Sequence, residues 1–235
     1  MSRQLEVVHI QALDFWIARG AIVLVAGLQL LVINDLSVGP RWLAPGIEIA
    51  LLVPLSIATA WNQDQARRAT SEHHWDVVGR HRRAIRRFAL VLTAVVSLMN
   101  FGALIELVRY LLAGKAASGP TLLLDALNIW ATNVIAFALW FWSIDRGGPS
   151  MRGLHSSKTS DFLFPQMTLE VQIPEARFSP GFIDYLFLSF TNATAFSPTD
   201  TLPLSQRAKL LMMVEASISL LTVALVAARA VNILS

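Results

Sequence analysis

The sequence predicts an all-α, polytopic transmembrane protein with five spans and a further segment that re-enters the bilayer or forms a short sixth span. Three observations predict this class. Only 15% of the 235 residues are charged and 54% are hydrophobic, whereas a soluble domain carries about 25% charged residues. The mean hydropathy is +0.54, and apolar runs of about 20 residues, the length that crosses about 30 Å of hydrocarbon, recur along the chain. The basic residues fall between those runs, where membrane topology requires them.

The first span is Phe15 to Ile33, closed by the turn-forming Asn34-Asp35 and Gly39-Pro40. The second is Trp42 to Trp61, with an indole at each end, where the headgroup layer favours it. Its Pro45 and Pro54 are tolerable where neighbouring helices satisfy the freed carbonyls. The third runs from Phe88 to Val108, the fourth from Leu122 to Ile144 and the fifth from Leu210 to Leu234. Two regions result: 1–120, with three spans, and 121–235, with outer helix 122–144, loop 145–179, apolar segment 181–196 and final helix 210–234. No internal repeat or low-complexity tract interrupts them.

Residues 62–87 hold seven arginines and read as a cytoplasmic loop under the positive-inside rule, with an anionic-lipid or nucleic-acid site as the sharper alternative. The pI of 9.8 follows from such loops, and no nucleic-acid partner is expected. His73, His74 and His81 lack the i, i+4 spacing of a helical metal pair. Cysteine is absent, which removes disulfides and thiolate chemistry. The N-terminus lacks the basic start, apolar core and small-residue site of a cleaved signal peptide. The expected setting is the bacterial inner membrane, multi-pass, with a cytoplasmic N-terminus.

Residues 145–179 form a long Gly/Pro-punctuated loop, in which the alternation TLEVQI (168–173) suggests a small β element or an extended segment. With the arginines inside, this loop is also inside, so 181–196 approaches the membrane from the cytoplasm. Three arrangements fit: an inverted pore loop as in glutamate-receptor channels, a short sixth span, or a failure of the charge rule.

Asp184-Tyr-Leu-Phe-Leu-Ser189-Phe190 resembles the pore helix of potassium-channel-type tetrameric cation channels, commonly D-x-L-Y-F-S-F. Thr191-Asn192-Ala193-Thr194 then falls where that family has its threonine-bearing approach to the filter, and Asp200 and Pro203 where its filter is followed by aspartate and proline. Arg207, Glu215, Ala216 and Arg229 match its inner-helix pattern, with Ser219 at the usual hinge glycine. The resemblance covers about a fifth of the chain and implies a pore module and a homo-oligomer of the tetrameric kind. It departs at the centre, where T-x-G-Y-G-D is replaced by Ala195-Phe196-Ser197-Pro198-Thr199-Asp200. A ladder of ion-facing carbonyls needs glycine in left-handed conformations, and Pro198 fixes its own φ near −65°, so ordinary potassium selectivity does not carry over. The implied constriction is instead wider and hydrated, lined by Thr191, Asn192, Thr194, Ser197, Thr199 and Asp200. The motifs FxFPQM, DRGGP, TNATAFSPTD and ARAVN also make the whole chain similar to an uncharacterised bacterial membrane-protein family. A plainer reading of Ser-Pro-Thr-Asp is helix-start chemistry, with Thr199 or Asp200 as cap and Pro203 in the first turn of the last span.

Ionisable groups within the spans single out Glu48, the i, i+3 pair Glu106 and Arg109, and Glu215. Asp125, Asn128 and Thr132 form one stripe of the fourth span, more suited to gluing helices than to conducting ions. No nucleophile–base constellation suggests an enzyme, and no cofactor or metal is expected. The expected function is an ion channel or channel-like pore, with Glu215 and Ser219 supporting the inner helix. The alternative is a non-conducting scaffold or accessory protein that keeps the pore-module fold. A solute transporter is disfavoured by the lack of an inverted repeat.

Overall fold

The computed structural model describes residues 12–31, 45–47, 49–50, 53, 56–57, 72–113, 119–148, 160–169, 178–194 and 201–234. Helices α1 (Ala12–Leu31), α2 (Glu72–Leu112), α3 (Gly119–Ile144), α4 (Pro165–Leu169), α5 (Phe182–Thr194) and α6 (Gln206–Leu234) account for most of them. Two-residue strands β1 (Phe162–Leu163) and β2 (Leu202–Pro203) pair antiparallel, Phe162 opposite Pro203 and Leu163 opposite Leu202. Residues 45–47, 49–50, 53 and 56–57 are helical, but most of the second expected span, Glu48 included, lies outside the described residues. Among the described residues, three helical segments are long and apolar enough to cross a membrane: Arg83–Leu112, Thr121–Gly147 and Gln206–Ala228.

The arginine-rich stretch is the first departure from expectation. Instead of a loop to residue 87, the chain is helical from Glu72, and α2 runs for 41 residues, about 60 Å at 1.5 Å per residue. No proline and only Gly79 interrupt 72–87, and arginine is a good helix former. The charge run does not end the helix. The β element is also displaced. Thr168 and Leu169 close α4, and the strand lies upstream at Phe162–Leu163, where an aromatic run packs on the core. The rest of TLEVQI is outside the described residues.

Helix α3 is the axis of the fold. Its buried residues 134–139, 141, 142 and 144 meet α1, α5 and the loop strands. Phe15 and Phe182 pack edge-on against Trp142, and Phe162 packs edge-on against both Phe141 and Tyr185. Such pairs add about 0.5–1.5 kcal/mol each beyond their burial. At the opposite end, Leu104 and Leu107 of α2 close over Leu122, Ala126 and Ile129. Antiparallel α2 is tied to α3 by Asn100 Nδ2 donating to the Ile129 carbonyl (3.1 Å) and Trp140 Nε1 donating to Ser97 Oγ (2.9 Å).

The turn out of α3 uses DRGGP. Arg146, Gly147 and Gly148 all have positive φ, and a Cβ on Gly148 would lie 2.8 Å from the Ser143 carbonyl oxygen. Only glycine fits there. Helix α5 begins with the carboxylate half of a capping box: the Gly181 N–H donates to Asp184 Oδ2 at 2.7 Å. Helix α6 is capped by Ser205, whose Oγ accepts the Ala208 N–H at 3.2 Å. The expected caps Thr199 and Asp200 are therefore too far upstream, and Pro203 sits in β2, not in the first helical turn.

Candidate functional site

Two polar clusters, one at the C-terminal end of α3 and one deep in the bundle, set the path of α5 between α3 and α6. Tyr185, Ser189 and Asn192 recur at i, i+4 and i+7 on α5 and so share a face. Glu215 and Ser219 recur at i, i+4 on α6.

The first cluster centres on Asp145, fully buried where α3 ends. Its Oδ2 accepts the Tyr185 hydroxyl (2.6 Å), and its Oδ1 accepts the Asp161 N–H (2.7 Å). Asp161, 2% exposed, in turn accepts both Nε and Nη2 of Arg207 at 2.7 and 2.6 Å. Its carbonyl accepts the Leu204 N–H at 2.8 Å. The first turn of α5, the β1–β2 pair and the first turn of α6 are thus all fastened to one end of α3.

The second cluster lies about ten residues further down α3. Glu215 and Ser189 are both 0% exposed, which denies any substrate access to this serine–carboxyl pair. The Ser189 hydroxyl joins Glu215 Oε1 to the Val134 carbonyl. Asn192 Nδ2 donates to Glu215 Oε2 (2.6 Å) and to the Met212 carbonyl (2.9 Å). Asn133 Nδ2 donates to Ser219 Oγ (2.8 Å) and to the Glu215 carbonyl (3.2 Å). Burying a carboxyl without partners is expensive; here both its oxygens are engaged, and three helices are locked by one group.

The expected site residues divide accordingly. Glu215 and Ser219 are together at the deep junction, with Asn192 against them. The Thr191 and Thr194 hydroxyls bond back to their own helix, to Phe187 (2.8 Å) and Leu188 (3.0 Å) and to Phe190 (3.0 Å) and Thr191 (3.1 Å) respectively. Ser197, Pro198, Thr199 and Asp200 lie outside the described residues. Glu106 and Arg109 pair at 2.7 Å on an exposed face. In the α3 stripe Asp125 and Thr132 are buried, and Asn128 Oδ1 and Thr132 Oγ1 have no partner among the described residues. No group of three metal-binding side chains occurs among the described residues.

Asn133, Asp145 and Asp161 have no assigned role in the sequence reading. Asn133 is one position beyond the stripe singled out there, and the i, i+4, i+7 spacing of Tyr185, Ser189 and Asn192 was a usable signal. Asp161 carries none, because its partners are distant in sequence. No protein-family model, curated protein or solved structure matches this chain.

Proposed function

We propose that the chain is an ion channel or channel-like pore protein of the bacterial inner membrane, without the usual potassium selectivity, built on a re-entrant pore loop. In this reading α3 is the outer helix, α5 the pore helix, residues 195–200 the filter loop and α6 the inner helix. One observation carries it. Tyr185 and Arg207, in the first turns of α5 and α6, both connect through Asp145 and Asp161 to the same end of α3. Yet Asn192, near the far end of α5, packs beside Met212 and Glu215 well inside α6. The starts of α5 and α6 thus share one end of α3, which supports a re-entrant segment, with the return made within 195–201, over a short sixth span.

The ends of the helices support the reading of five spans. Phe15 of α1 contacts Trp142, so α1 starts at this same end. Arg86, just before the apolar part of α2 opens at Phe88, is within Coulombic reach of Arg207, so that part of α2 starts there too. In this reading the chain between them crosses back, and the Arg19 Nη2 donation to the Ser56 carbonyl (3.4 Å) supports a span at Trp42–Trp61 returning alongside α1. The arginines assign this end to the cytoplasm, making the loop inverted relative to a potassium channel and the N-terminus cytoplasmic. Exposed Ile183, Phe187 and Phe190 on α5 and Leu210, Met213 and Leu220 on α6 would meet lipid or neighbouring subunits of a homotetramer.

A non-conducting scaffold is the second reading, favoured by the hydroxyls of Thr191 and Thr194, which are turned onto their own helix. Planar-bilayer recording of purified protein separates the two. Cation currents that change on Asp200→Asn or Thr194→Ala support the pore; electrical silence at high reconstitution density overturns it.

A further inference from the structure

We infer that the corner where the start of the apolar part of α2 meets the start of α6 binds the phosphate of an anionic phospholipid from the cytoplasmic leaflet. The site needs only that these helices lie in a bilayer, and stands apart from the pore reading.

Arg86 is half-buried, and its Nε is buried without a hydrogen-bond partner among the described residues. It lies within Coulombic reach of Arg207 and Asp161, but both oxygens of Asp161 are already taken in a fork by Arg207. Among the described residues, Arg86 is thus left with a carboxylate already held by Arg207, which also feels Asp145. Arg83 and Arg87 are exposed on the same face of α2, and Lys209 is exposed one turn into α6. Positive charge is in surplus at a partly desolvated position, where an unpaired ion is costly. Orienting the protein in the membrane requires basic residues near the boundary, but not a half-buried guanidinium with an orphaned donor.

The position selects the ligand. Arg86 and Arg87 immediately precede the apolar run that begins at Phe88, so in a bilayer the corner is at the junction of headgroups and hydrocarbon. A phosphate oxygen there can accept from the Arg86 fork, which suits phosphate geometry. Directly below, Phe88 and Val91 on α2 and Leu210 on α6 are exposed and offer an apolar surface for acyl chains. A soluble phosphate would leave that surface unused.

Full-length protein in neutral detergent, titrated with phosphatidylglycerol or phosphatidylcholine and read by native mass spectrometry, tests the site. Wild type is expected to retain phosphatidylglycerol in preference to phosphatidylcholine. Arg86→Gln should weaken phosphatidylglycerol binding about fivefold, about 1 kcal/mol, with Arg86→Lys between the two. Arg109→Gln, an exposed cation at the other end of α2, should change nothing. Arg87→Gln gives a smaller loss in the same direction and serves if Arg86→Gln fails to fold. Equal retention of the two lipids by wild type overturns the inference. So does Arg86→Gln binding like wild type, or Arg87→Gln doing so where it replaces an unfolded Arg86→Gln. Thermal stabilisation by millimolar inorganic phosphate equal to that by phosphatidylglycerol would assign the corner to a soluble anion and overturn it as well.

Discussion

Glu215 is the residue on which the deep junction depends, since its carboxyl meets Ser189 and Asn192 of α5 while its own carbonyl meets Asn133 of α3. Removing it takes one acceptor each from Ser189 and Asn192, leaving them only the Val134 and Met212 carbonyls, and leaves a cavity at a fully buried position. Glu215→Ala is therefore expected to destabilise the protein by about 2–4 kcal/mol, measured by equilibrium denaturation in mixed micelles. Glu215→Gln, which keeps the shape and most contacts, should fall well short of that. Asn133→Ala loses two bonds that pin α6 to α3 and should cost about 1–2 kcal/mol, the range for interhelical hydrogen bonds in bilayers. A Glu215→Ala variant as stable as wild type would show that the junction contributes nothing.

Among the elements, α6 owes its starting point to an anchor outside the helix. Ser205 caps it, β2 delivers it, and Arg207 grips Asp161. A double-mutant cycle with Asp161→Asn and Arg207→Gln should give a coupling energy of about 1 kcal/mol, modest because the Arg207 side chain is 57% exposed. Zero coupling would make the pair incidental. The anchor also explains what was legible in the sequence. Apolar runs located α3 and α6 to within a few residues, because lipid-length hydrophobicity is a property of contiguous sequence. The β1–β2 pair and the Asp145–Asp161–Arg207 chain were not legible. They join residues up to 46 positions apart, and two-residue strands leave no periodicity. The start of α2 was misplaced because charge was read as loop, although nothing in 72–87 breaks a helix.

At the scale of the whole molecule, α1, α2, α5 and α6 all begin at one end of the bundle, the end at which α3 finishes. In the proposed layout that common end goes with a return crossing between α1 and α2 and with a segment from Gly181 to Ser205 that dips and comes back. In the same layout the Arg86 corner and the entry of α5 share one membrane face. The stretches that the resemblance marks as pore helix and inner helix are helical, as α5 and α6; their role as a pore module belongs to the proposal. Conduction, and the ion carried, remain proposals resting on that layout.

The most direct test of the re-entrant layout uses the absence of native cysteine. Single cysteines at Ser179, Gln206 and Leu112, all exposed, can be labelled with a membrane-impermeant thiol reagent in right-side-out and inverted vesicles. The account predicts that Ser179→Cys and Gln206→Cys are labelled from the same side, the cytoplasmic one, and Leu112→Cys from the other. Labelling of Ser179→Cys and Gln206→Cys from opposite sides would make α5 part of a complete crossing and contradict the pore-loop architecture.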